Sequence, residues 1–163
     1  VSGRLSAALA GLALAGACAA LAVPDASSRN TIRGEATVID GDTIDVGGVR
    51  VRLWGIDAPE GAQVCGGVSC GLAATAGLLR LIGGDTVACT ERDRDRYGRI
   101  VARCGTERVP DLGGMLVAKG MAIDYARYSG GAYRDHEAAA KAERLGLWRS
   151  NFVNPEDWRK GKR

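Results

Sequence analysis

The chain of 163 residues has a single histidine, His136. That scarcity excludes an H-E-x-x-H zinc pair and a zinc-finger histidine pair. A Ser-His-Asp triad would have to use His136, which lies in an Ala/Glu/Lys/Arg helical pattern far from any G-x-S-x-G turn. No C-x-x-C pair occurs, so the usual thiol-redox motif is missing and a zinc reading is weak. There is no internal repeat. Charge of one sign is also scarce in net terms: 22 basic and 19 acidic side chains leave +3, too little to establish a polyanion partner by itself. What is present is ordinary for a folded domain. A 46% hydrophobic fraction and 25% charge are globular values, and the length suffices for one domain with a real core. Any strong chemistry must therefore run on carboxylates, arginines or cysteines.

The N-terminal segment reads as an address. Arg4 precedes an uncharged, Ala/Leu/Gly-rich stretch from Leu5 to Val23, which closes in Ala20-Leu21-Ala22 before Pro24. A basic start, an apolar run and an A-x-A end describe a signal peptide over residues 1–22. An uncleaved membrane anchor, or a lipoprotein signal centred on Cys18, are the alternatives. Residues 23–31 read as a linker and 32–163 as the folded domain with its tail. Removing the leader removes Cys18 and leaves Cys65, Cys70, Cys89 and Cys104. An even set in an exported chain suggests disulfides. Spacing favours Cys65–Cys70 as a loop clamp and Cys89–Cys104 across a hairpin.

The body reads as strands first and helices later. Gly34 to Ile39 is a short strand. Thr43 to Val46 and Val49 to Trp54 flank Gly47-Gly48, a hairpin turn. A tight turn there sets Val46 opposite Val49 and Thr43 opposite Arg52, bringing Asp42 near Arg52. Leu72 to Ile82 is helical, with Leu72, Ala76 and Leu79 at helical spacing and Gly83-Gly84 as the stop. Asp85 to Glu91 and Arg99 to Cys104 form a second hairpin. Leu112 to Lys119 and Tyr133 to Leu145 are further helices, and the tail around Trp158 can fold back on the body. Mainly β structure with about three helices is compatible with a five-stranded Greek-key barrel of the OB type.

Three clusters carry the chemistry: Asp40-Gly41-Asp42-Thr43, Arg52 to Glu60, and Asp95-Arg96-Tyr97-Gly98-Arg99. Asp42, Asp57 and Glu60 can offer hard oxygen ligands to a calcium-sized cation. Arg52 and Arg99 can fork onto a phosphate. A metal, a carboxylate base and two arginine clamps are the requirements of phosphodiester hydrolysis. The plain alternative is a set of turns, a solvated hairpin tip and an ordinary Arg52–Asp57 ion pair.

V-I-D-G-D-T-I at Val38 to Ile44, R-L-W-G-I-D-A-P-E at Arg52 to Glu60 and D-R-Y-G-R at Asp95 to Arg99 together resemble the staphylococcal nuclease (thermonuclease) family, in an exported bacterial form. The resemblance runs from about Ile32 to Phe152. It implies an OB-fold barrel and a calcium-dependent nuclease acting on DNA and RNA, leaving 3′-phosphate ends. By the same resemblance, Asp42, Asp57 and the carbonyl of Ala58 are the calcium ligands. Glu60 is the general base, and Arg52 and Arg99 hold the scissile phosphate. Tyr125 and Tyr128 match nucleotide-binding tyrosines, although their spacing differs from the archetype. Ala58 stands where the archetype has threonine. Glu137 matches a family glutamate and reads as structural, and His136 as a helix-surface residue. No stable protein partner is implied, and contact with a membrane arises only if the leader is retained. The competing function is a non-catalytic OB-fold module that binds nucleic acid without cutting it.

Overall fold

The computed structural model describes residues 30–162. The expected signal segment, Cys18 and most of the expected linker lie outside the described residues. The chain enters as β1 (Thr31–Gly34) and β2 (Ala36–Val38), then runs through β3 (Thr43–Val46), β4 (Val49–Leu53) and β5 (Ile56–Asp57). A small ribbon, β6 (Val64–Cys65) and β7 (Val68–Ser69), leads into α1 (Cys70–Ile82). The long hairpin is β8 (Val87–Arg94) and β9 (Ile100–Gly105). Then follow α2 (Leu112–Ala118), β10 (Ile123–Asp124), the one-turn α3 (Ala126–Ser129) and α4 (Arg134–Ala142). A 3-10 turn (Gly146–Arg149) and α5 (Pro155–Arg159) are the last elements among the described residues.

The expected five-stranded barrel is not what forms. The main sheet has six strands in the order β1-β8-β9-β4-β3-β2, with β1 and β2 at its two edges. Closure would need a hydrogen-bonded ladder between those edges. Instead β1 pairs with β8 and β2 with β3, and only the chain itself passes from one edge to the other at Glu35. The architecture is a mixed sheet, open at its edges, packed with helices. Its parallel step, β4 beside β9, sets Arg52 opposite Val101.

Local chemistry explains the elements. Gly47 and Gly48 both take positive φ, +58° and +86°, the requirement of a two-residue hairpin turn whose twist matches the strands. The β3–β4 register is the one that the sequence implies: Val46 opposite Val49, Ile44 opposite Val51 and Thr43 opposite Arg52. Asp111 caps α2, accepting a bond from the Gly114 N–H at 3.1 Å. Asn154 caps α5, with Pro155 in the first turn.

The core joins one face of the sheet to the helices. Ile44, Val46, Val51, Leu53, Val87 and Ala102 meet Ala74 and Leu78 of α1, Leu112, Leu116 and Val117 of α2, and Tyr133. The helix α1 forms where its periodicity places it, yet it buries a different face. Leu72 is 62% and Leu79 59% exposed, while Cys70, Ala74, Leu78 and Ile82 line the interior. The Cys65–Cys70 bond fixes the start of α1, and Gly77 leaves room for the Met121 side chain, so packing chooses the face. A second, smaller apolar cluster gathers that disulfide with Ile123, Leu147, Trp148 and Phe152.

The second disulfide joins Cys89 to Cys104, which are paired directly across β8 and β9. Cross-linking that 15-residue separation is worth about 3 kcal/mol in the chain-entropy account, against roughly 2 kcal/mol for the shorter Cys65–Cys70 loop. Replacing Cys89 and Cys104 by serine should therefore lower unfolding stability by about 3 kcal/mol, read by urea denaturation without reductant. A loss no larger than that of the Cys65/Cys70 double variant would refute this ranking.

Candidate active site

The three sequence clusters meet in one cleft of about 690 Å³. Asp42, Arg52, Ala58, Glu60, Arg99, Tyr125 and Tyr128 all line it. Asp57 lies beneath, with no exposed side-chain surface, and reaches the cleft through arginines.

Asp42 sits in the turn before β3. Its own N–H is held by Asp40 Oδ1 at 3.0 Å, so Asp40 shapes the turn. Arg52 projects from β4 between the two aspartates. Its Nη2 lies 2.9 Å from Asp42 Oδ2 and 3.1 Å from Asp57 Oδ1, and its Nη1 donates to Asp42 Oδ1 at 3.0 Å. The Ala58 N–H donates to Asp42 Oδ2 at 3.2 Å. Burial pushes the Asp42 carboxyl up to about 6; Arg52 opposes that rise, while Asp40 and Asp57 add to it.

Two buried carboxylates thus converge on one point where a guanidinium nitrogen stands. Their oxygens, with the neighbouring Ala58 carbonyl, are the donor chemistry that a hard divalent cation takes. The pair fits calcium in kind. Among the described residues, no group of three or more His, Cys, Asp or Glu side chains could hold a metal ion, so backbone oxygen and water would have to complete its shell.

Glu60 follows on the loop after β5. Its N–H donates to Gln63 Oε1 at 3.2 Å, and the Gln63 N–H returns to the Glu60 carbonyl at 2.7 Å. Small residues of α1 seat both acidic turns. At Gly71 an added Cβ would overlap the Glu60 carbonyl, and at Gly41 it would come within 2.8 Å of the Ala58 and Ala74 side chains. Arg99 comes from the turn before β9. Asp95 Oδ2 accepts from its Nε at 2.6 Å, and Asp95 Oδ1 accepts from its N–H at 2.9 Å. Burial alone would raise the Asp95 carboxyl, but these bonds and the Tyr97 N–H hold it below its ordinary range. Tyr125 and Tyr128 pack edge to face, 4.8 Å between centroids. Burial, then Glu156 and Asp57, raise the Tyr125 hydroxyl.

Residues 50–150 match the family described as staphylococcal nuclease homologue. The chain belongs to that family. Relatives include a micrococcal nuclease of Shigella flexneri, 34% identical, with 80% of this chain and 82% of the relative covered. The succinoglycan biosynthesis protein ExoI of Rhizobium meliloti (strain 1021) is 36% identical over 81% of this chain and 72% of its own. The protein ParB of Escherichia coli is 37% identical over 88% and 89%. This staphylococcal nuclease homologue is accordingly a hydrolase of the nuclease kind, with nucleic acid as its class of substrate.

Two residues, one behind the cleft and one lining it, escape a sequence reading. Gln63 is fully buried and ties the Glu60 loop to the tail, its Nε2 donating to the Val153 carbonyl at 2.6 Å. Arg159 comes from α5, beyond the family match, and donates to Asp57 Oδ2 at 2.9 Å, Asp57 Oδ1 at 3.0 Å and Glu60 Oε1 at 2.8 Å. No local signal separates either from an ordinary polar residue. His136, the single histidine, is exposed on α4, and Glu137 is structural: it accepts from the Asp124 N–H at 3.3 Å and pairs with Lys141.

Gly71→Ala should displace the Glu60 loop. Nuclease turnover should fall on the order of 100-fold, the scale of an ångström-size misplacement, with the chain still folded by circular dichroism. Unchanged turnover would show that the loop's seat on α1 does not matter.

Proposed function

We propose that the chain is an exported, calcium-dependent nuclease that hydrolyses phosphodiester bonds of DNA and RNA and leaves 3′-phosphate ends. The convergence of Asp42, Arg52, Glu60 and Arg99 from distant segments on one cleft is the observation that carries the reading. Glu60 sits at the rim with 42% of its side chain exposed, open to the water whose proton it would take. Arg52 and Arg99 would hold the scissile phosphate and meet the negative charge that builds on it in the transition state. The Asp95 bond to Arg99 uses Nε, so a phosphate would be met by the outer guanidinium nitrogens. Asp42, Asp57 and the Ala58 carbonyl would hold calcium, which supplies positive charge opposite the phosphate when bound. Tyr125 and Tyr128 would pack a ring on a base or meet a phosphate through a hydroxyl at the side of the cleft.

Export is supported by the leader-like residues 1–22 and by two disulfides, which persist in oxidising compartments. Among the described residues, no helix is long and apolar enough to cross a membrane.

The test is digestion of single-stranded DNA, duplex DNA and RNA with calcium, with chelator, and with Glu60→Gln. Cleavage should need calcium and should fall about 100- to 10,000-fold in Glu60→Gln, the range for removing a general base. Binding without cleavage of any substrate would leave a non-catalytic binding module. A wild-type rate in Glu60→Gln would remove Glu60 from the chemistry. Arg99→Ala should cost about 100- to 1,000-fold in turnover, as for loss of one transition-state donor.

A further inference from the structure

The tail of the chain reaches into the cleft, and its route is built rather than incidental. Phe152 packs edge to face on Trp148 at 5.0 Å, in the cluster that holds the Cys65–Cys70 disulfide. Gln63 then takes the Val153 carbonyl, and Asn154 starts α5 by accepting the Glu156 N–H at 3.0 Å. These fixings aim Arg159 at the two acids that calcium binding and water activation would use. Both Asp57 oxygens accept from its guanidinium, and so does Glu60 Oε1.

A carboxylate oxygen paired with a guanidinium is a poor ligand for a divalent cation, because both cations seek the same lone pairs. Arg52 is rooted in the middle of the sheet and paired with both aspartates. Arg159 is rooted in a five-residue helix outside the sheet. Of the two, Arg159 is the one that can leave without disturbing the sheet.

We propose that Arg159 is an internal cation of the cleft: a latch that competes with the divalent cation for Asp57 and keeps Glu60 paired until it is displaced. This rests on the reading of Asp42 and Asp57 as the calcium ligands. The latch lowers apparent calcium affinity by the fraction of molecules in which it is open. Calcium binding must in return loosen the tail, since coupling between two equilibria is reciprocal.

Calorimetric titration of the folded chain with calcium alone tests it, together with amide exchange across residues 155–160. Arg159→Gln should bind calcium more tightly, by roughly five- to 150-fold, the usual range of such coupling. Lys160→Gln removes the same charge from the C-cap of that helix, where Lys160 pairs with Glu156, and should stay within about twofold of wild type because an exposed charge is screened. In the wild type, saturating calcium should speed exchange across 155–160. Equal affinity in wild type and Arg159→Gln, an equal gain in Lys160→Gln, or unchanged exchange with calcium bound would each overturn the latch. If wild type and variants all bind calcium alike and cut nucleic acid, the latch fails and the nuclease reading stands. If none binds calcium, both fail. The wild-type exchange experiment needs no substitution, so it decides the matter even if a variant does not fold.

Discussion

Asp57 is a carboxylate with no exposed surface, and the cleft is organised around compensating it. An unpaired buried charge costs many kcal/mol, whereas one that is paired and hydrogen bonded is tolerated. Asp57 meets this condition twice, through Arg52 and through Arg159. Arg52 in turn serves Asp42, the other buried carboxylate, and so binds the turn before β3 to the end of β5. Burial and the neighbouring Asp40 and Asp57 push the Asp42 carboxyl up, against the pull of Arg52. A site with buried carboxylates beside arginines is suited to gather a cation and a phosphate together.

The sheet supplies the geometry that this electrostatics needs. A tight glycine turn fixes the β3–β4 register, which puts Thr43 opposite Arg52 and therefore Asp42 beside it. Parallel pairing of β4 with β9 brings the strand that follows Arg99 alongside the strand that carries Arg52. The helix α1 closes the arrangement from below, because Gly71 and Ala74 let the Glu60 loop and the Gly41 turn sit against it. Backbone close approach here positions chemistry, and a methyl group at Gly71 would be felt at Glu60.

Much of this was legible in the sequence because it depends on short-range rules. The hairpin register follows from two adjacent glycines between alternating valines, and the acidic and arginine clusters announce themselves by type and spacing. What escaped depends on the whole chain. A barrel requires the sheet's edges to pair, and here consecutive strands β1 and β2 ladder to different partners, so the edges stay unpaired. The buried face of α1 was hidden because the helix is apolar on several sides, and a disulfide and Met121 choose among them. Helices as short as α3 and α5 have too few turns to show a period. Arg159 is separated from Asp57 by 102 positions, and no local pattern encodes a contact of that range.

The same pair of carboxylates faces two demands. While the chain folds, their charge must be neutralised at once, or the buried Asp57 would oppose closure of the cleft. If they are to bind calcium, that neutralising charge must be removable. A compensator fixed within the sheet meets the first demand and obstructs the second. Dividing the task resolves the conflict: Arg52, central in the sheet, keeps the two acids together, and a second arginine on a short helix outside the sheet provides charge that can be withdrawn. Burial works against the Arg159 charge, yet Asp57 and Glu60 more than offset it, so the latch stays charged while it is closed. The matched segment covers residues 50–150, so Asp42 and Arg159 approach Arg52 and Asp57 from outside it on opposite sides of the chain.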